Sequence, residues 1–171
     1  MKRLIPIIII LTIFGLKAYS QIEYSRKIET GYLGFQYTMV QVEAGPNWKG
    51  YNLNKEQNGI DVNLINGIQF KNKLFAGIGL GYVNFDGING ISVFSDFEYL
   101  PLKTKLTPLI NLKIGYNHIW NQYKNGTGTA LIELGGGLNY RFSEKFGVYL
   151  QSGFMITQQT FFIPIKLGLR I

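Results

Sequence analysis

The chain has 171 residues, a formal net charge of +7, 21 glycines, 11 tyrosines, 12 phenylalanines and no cysteine. Without cysteine there are no disulfides, thiolate metal sites or cysteine nucleophiles, and the length suits one domain. The positive charge is modest and spread along the chain, which speaks against a nucleic-acid partner.

Lys2 and Arg3 open the chain, residues 4–16 are apolar, and Ala18-Tyr19-Ser20 places small residues three and one before a cut at Gln21. That layout is a cleaved secretory signal over residues 1–20. It falls short of the roughly 20 apolar residues that a spanning helix needs. Losing Lys2, Arg3 and Lys17 with it leaves a charge of +4.

Eight stretches then alternate between apolar and polar or small residues: 31–43, 59–71, 73–85, 90–100, 105–117, 129–142, 145–157 and 160–171. A stride of two puts successive side chains on opposite faces of a strand. In the last stretch Phe161, Ile163, Ile165, Leu167, Leu169 and Ile171 share one face. No sustained 3.6-residue period occurs, so helix is not expected. Tight connections are read at Asn72, at 143–144 and at 101–104, and longer ones at 44–58, 86–89 and 118–128, with a short one at 158–159. Residues 21–30 read as an N-terminal periplasmic segment and 31–171 as the barrel domain.

Which face points outward decides the kind of barrel. A soluble ligand-binding barrel turns its apolar face inward. Here the less apolar face carries Gly34, Gly67, Gly77, Gly79, Gly81, Gly115, Gly135, Gly137, Gly147, Gly153 and Gly168, with Gly136 breaking the parity. Glycine weakens a strand unless something must approach closely, and the inside of an eight-stranded barrel is such a place. The apolar face therefore points to lipid. On that face Tyr82, Tyr116 and Phe161 fall at one end of the strands and Phe70, Tyr99, Tyr140, Phe142 and Phe146 at the other, with aliphatic residues between. Two aromatic girdles around an aliphatic band are the mark of a membrane barrel. The reading is an all-β, eight-stranded, antiparallel, up-and-down transmembrane β-barrel in a Gram-negative outer membrane. With the N-terminus periplasmic, the connections at 44–58, 86–89, 118–128 and the short 158–159 are expected outside the cell and the tight ones at Asn72, 101–104 and 143–144 in the periplasm.

The inward parity also carries Asp61, Asp96, Glu98, Lys113, Glu133, Arg141, Lys166 and Arg170. They are expected to form an ion-pair network in the lumen, with Lys113 facing Glu133. Inward Phe75, Phe94, Tyr149 and Phe162 leave little room for a channel. Two carboxylates, Asp96 and Glu98, fall short of the about 6–8 oxygen ligands of calcium, and no metal or cofactor is expected. Gly77-Ile78-Gly79-Leu80-Gly81 and Gly135-Gly136-Gly137 lie within strands and open no helix, so they are not phosphate loops. His118, beside Trp120, is the single histidine. Outer-membrane lipid A deacylases place a serine two positions after their histidine on the same strand, and here that position is Trp120; only Thr127 and Thr129 lie near in sequence. The longest loop carries Trp48 and Tyr51, which with His118 and Trp120 are candidate contact residues.

Phe94-Ser95-Asp96-Phe97-Glu98-Tyr99, Lys105-Leu106-Thr107-Pro108 and Leu112-Lys113-Ile114-Gly115-Tyr116 resemble a widespread family of small outer-membrane barrel proteins of the OmpA/OmpX type, including PorT-like barrels. The end of the chain, Ile165-Lys166-Leu167-Gly168-Leu169-Arg170-Ile171, is similar, although Ile171 stands where the family has an aromatic residue and Glu98 where it often has a base. The resemblance implies outer-membrane lipid and the barrel-assembly machinery as partners, and it carries no catalytic residue. The expected protein is a monomeric, non-enzymatic barrel that acts as envelope scaffold or through extracellular loops on a protein partner. A lipid-modifying enzyme at the rim around His118 and a small channel are the alternatives.

Overall fold

The structure is a computed structural model that describes residues 22–39, 45–46, 57–120, 124–143 and 146–171. The candidate signal (1–20) and the loop residues Trp48 and Tyr51 lie outside the described residues. Eight strands, β1 (Ile22–Thr38), β2 (Gly59–Phe70), β3 (Leu74–Phe85), β4 (Ile88–Tyr99), β5 (Leu106–Ile119), β6 (Thr127–Arg141), β7 (Gly147–Thr157) and β8 (Thr160–Arg170), follow one another around the wall. Each pairs antiparallel with its sequence neighbours, and β8 returns to pair with β1. Closure leaves no free sheet edge, so backbone donors and acceptors are met within the wall.

Following one row of paired residues shows the stagger. From Arg26 it passes Asn66, Ile78, Ser95, Ile114, Ile132, Ile156 and Phe161, and reaches β1 again at Tyr37. The row has climbed along β1 by one full circuit, with a bulge between Phe35 and Tyr37 taking up a position. Such stagger accompanies the strand tilt that closing a sheet requires. The β7–β8 ladder is interrupted beside Pro164, which has no N–H to give.

The first strand differs from its expected bounds. Residues 22–30 belong to β1 rather than to a separate periplasmic segment, and the strand ends at Thr38. Its outward side reads Tyr24, Arg26 and Ile28, so a charge interrupts the apolar parity and hides the strand in the sequence. That Arg26 guanidinium is held at the surface by donating to the Tyr24 hydroxyl at 2.8 Å, and Tyr24 donates to Asn66 at 2.8 Å. Three connections are two- or three-residue turns with left-handed backbone: Lys71 and Asn72, Asp86 and Gly87, Gln158 and Gln159 all have positive φ. The primed hairpin turns have that twist. The expected loops at 86–89 and 118–128 shrink accordingly, because β4 starts at Ile88, β5 runs to Ile119 and β6 starts at Thr127.

Most outward residues are apolar and exposed, for example Ile78, Leu80, Ile110, Leu134, Leu150 and Leu167. Aromatic pairs gather at both ends: Tyr37 stacks on Phe161 at 5.2 Å at the loop end, and Phe142 on Phe146 at 5.5 Å at the turn end. Inside, glycines give the aromatic rings their room. Gly67 pairs with Gly77 across β2 and β3, and a Cβ on either would lie 2.7–2.8 Å from the Phe75 ring. The Tyr149 ring covers Gly168 in the same way.

Candidate functional site

The lumen is built in layers. At the loop end an apolar cluster includes Leu33, Val83, Phe85, Ile88, Ile119, Leu131, Met155 and Phe162. At the turn end Leu100, Leu109 and Tyr149 form a smaller one. Between them lie buried charges that the inward parity of β1, β2, β4, β5, β6 and β8 brings together.

Nearer the turn end, Lys27 Nζ is 2.6 Å from Asp96 and 3.0 Å from Glu98. Arg170 also pairs with Glu98, and Asn111 donates to Asp96. Lys27 lies 4.3 Å over the Phe75 ring, a cation–π contact. Toward the loop end, Lys113 pairs with Glu29 and lies 3.2 Å from Glu133, its register partner. Lys166 reaches Asp61 at 2.6 Å, Glu133 at 2.7 Å and Glu29 at 3.5 Å. Glu29 is the hub. Beyond the two lysines it accepts hydrogen bonds from Asn63 at 3.1 Å, the Tyr149 hydroxyl at 3.0 Å and Gln151 at 3.1 Å.

Five carboxylates (Glu29, Asp61, Asp96, Glu98, Glu133) thus meet four cations (Lys27, Lys113, Lys166, Arg170). All nine side chains are buried. Burying an ion is expensive unless it is paired and its remaining donors and acceptors are met, and the Asn, Gln and Tyr groups meet several of them. A cavity of about 10 Å³ beside Asp61, Asn63, Lys113, Glu133 and Lys166 has room for about one water molecule. No cluster of His, Asp and Glu suited to a metal ion occurs among the described residues. The arrangement links six strands through the lumen and can hold the wall rigid.

No protein-family model and no curated protein matches the sequence. Solved structures do match the fold. The neisserial surface protein NspA aligns with a TM-score of 0.66 at 8% identity, covering 88% of this chain and 97% of NspA. The N-terminal β-barrel domain of Pseudomonas aeruginosa OprF aligns with a TM-score of 0.54 at 14% identity, covering 88% of this chain and 100% of that domain. This is the fold of the small eight-stranded outer-membrane β-barrels.

In this outer-membrane-type barrel the sequence-derived lumen residues Asp61, Asp96, Glu98, Lys113, Glu133, Lys166 and Arg170 lie in the layer described above. Arg141 does not. It ends β6 at the turn-end mouth, half-buried, and its guanidinium donates to the Leu102 carbonyl at 3.0 Å, with no carboxylate paired to it among the described residues. Lys27 and Glu29 were missed with the first part of β1. They could have been found from the spacing of Lys27, Glu29, Gly31 and Leu33, which continues the inward parity, against Tyr24, Ile28 and Tyr32 on the outward one.

His118 sits on the outer face at the loop end of β5. It touches the rings of Tyr116 at 6.5 Å and Trp120 at 5.0 Å between centroids. Among the described residues no hydroxyl or carboxylate is hydrogen-bonded to it, and none of them completes with it the nucleophile–base–orienter chain of a hydrolase. Trp120 is exposed beside it, and its backbone N–H donates to Asn89 at 2.8 Å.

Proposed function

We propose that this protein is an integral, non-enzymatic barrel of a Gram-negative outer membrane that works as an envelope scaffold and through the surfaces at its ends. The observation that carries the reading is the inversion of the usual protein interior. The outer wall is aliphatic between two aromatic girdles, while nine charged side chains are buried inside. In water such a wall would be a large exposed apolar surface; in a bilayer it is the solvated face. The filled lumen favours action at the ends over transport, and His118, which among the described residues has ring neighbours and no hydrogen-bonded hydroxyl or carboxylate, favours a non-catalytic rim. The likeness to NspA and OprF adds the fold.

The orientation proposed puts the long β1–β2 connection outside the cell and the 71–73, 100–105 and 142–146 turns in the periplasm, as expected when short turns face the periplasm. The test is cell fractionation followed by gel mobility with and without boiling. The protein should enter the outer-membrane fraction and migrate differently once boiled, because a closed hydrogen-bonded barrel resists detergent. Recovery from the soluble periplasm with no mobility shift would overturn the reading.

A further inference from the structure

The outer wall is not evenly filled. Ala76 faces outward on β3 among larger neighbours: Ile68 beside it on β2 and Phe97 beside it on β4, by register. One step toward the turns lie Phe70, Leu74 and Tyr99, again in register. The short side chain leaves a groove of about 400 Å³ between these residues. It lies in the turn-end half of the apolar belt, next to the turns.

The turns below it are basic. The β2–β3 turn carries Lys71 and Lys73, and the β4–β5 connection carries Lys103 and Lys105. The Leu100 N–H donates to the Lys73 carbonyl at 2.7 Å, which ties the two connections together. Lys71 Nζ lies 5.0 Å over the ring of Phe70, a groove residue, so ammonium and groove are adjacent. Lys71 and Lys103 share a hollow at the rim with Asn72 and Glu23. One carboxylate there faces an excess of lysines, so the rim keeps positive charge.

We propose that this face is a binding site for a single anionic phospholipid, with an acyl chain in the Ala76 groove and the headgroup phosphate against Lys71, Lys73 and Lys103. The inference rests on the membrane reading above and adds a site and a headgroup class to it. Two properties select the occupant. An apolar groove adjacent to cations at the membrane boundary matches a molecule with an apolar chain and an anionic head. A second copy of this chain, docked face to face about a two-fold axis, would bring the same lysines against each other. Anionic rather than zwitterionic lipid is selected because ammonium groups near a membrane surface each favour negative headgroups.

The test is native mass spectrometry of the full barrel released from detergent after incubation with phosphatidylglycerol, with phosphatidylcholine, or with lipid A. The wild type should retain one phosphatidylglycerol at least about tenfold more than phosphatidylcholine. The triple variant Lys71→Gln, Lys73→Gln, Lys103→Gln should hold the two phospholipids equally. Ala76→Phe, which fills the groove from the lipid side, should lose the retained lipid of either kind. Every variant is first checked for insertion into vesicles and for the mobility shift on boiling. Insertion with equal retention of both phospholipids by the wild type would overturn the site alone, as would a preference that survives the triple variant. Stronger retention of lipid A than of phosphatidylglycerol would also overturn it. Failure of the wild type to insert would overturn the membrane reading and the site together.

Discussion

Lys166 holds three carboxylates at once, and among the described residues it is the single cation on Asp61. A buried ion pair adds little over well-packed apolar residues, yet removing one member leaves a charge with no partner and costs about 3–5 kcal/mol. Lys166→Met, which keeps much of the chain length, is therefore expected to destabilise the barrel by about that amount. Unfolding by urea in lipid vesicles would measure it, with the exposed Lys124→Met as a control near zero; a loss for Lys166→Met as small as the control's would mean that the network holds nothing in place. At this scale the sequence was informative wherever parity was clean. Asp61, Lys113, Glu133 and Lys166 can be read as inward because apolar residues flank each of them. Glu29 was harder to read, because outward Arg26 breaks the apolar side of the pattern three residues before it and only the inward spacing of Lys27, Glu29, Gly31 and Leu33 remains as a signal. Arg141 misled in the opposite way: it obeys the parity, but parity says nothing about how far along the axis a long side chain lies from the mouth.

The β7–β8 hairpin shows what a two-residue connection demands. Gln158 and Gln159 both sit in the left-handed region, at φ 50° and 56°, where a side chain costs about 1–2 kcal/mol. Gln158 gains something for its position, since its buried amide donates to the carbonyls of Asn117 and Thr127 at 3.1 and 3.3 Å. Gln159 is exposed, and among the described residues its side chain has no such bond. Gln159→Gly is expected to stabilise the barrel by about 0.5–1 kcal/mol, the relief of that strain less the added freedom of glycine when unfolded. Gln158→Gly should instead lose stability, and the difference between the two midpoints in urea is the measurement; equal shifts would show that turn strain and not the amide decides both. Strand existence and pairing order could be read from period and turn residues, since these depend on local chemistry. Strand ends could not. Asp86–Gly87 and the 120–126 connection are shorter than their polar composition suggests because polar residues such as Asn84, Asn89 and Asn117 are accommodated in the wall. Asn84 donates to Asn89 at 2.7 Å across the β3–β4 pair, and Asn117 to Thr157 at 3.2 Å through the lumen.

Taken whole, the molecule closes its lumen twice by different physics. At the loop end Phe85 and Phe162 stack at 5.1 Å, with Phe35 set edge-on to Phe162 at 6.2 Å. This is a dry plug that an ion enters only by losing its water. Below it the charged layer fills the section with side chains bound to one another from six strands, so a permeating ion would have to replace pairs at 2.6–3.2 Å such as Lys166–Asp61 and Lys113–Glu133. Either layer is a barrier. Eight strands enclose an interior that side chains can fill, and that constraint was legible in strand number together with inward Phe75, Phe94, Tyr149 and Phe162; the division into layers was not, because it depends on the stagger that sets which residues share a height. Two closures in series make a specific prediction. The wild type should show no conductance steps in planar bilayers, and the double variant Phe85→Ala, Phe162→Ala should remain silent because the charged layer still spans the lumen. Steps in the wild type would mean that both layers open together, which favours a channel. Steps in the double variant alone would assign the seal to the aromatic plug and leave the ion pairs to hold the shape of the wall.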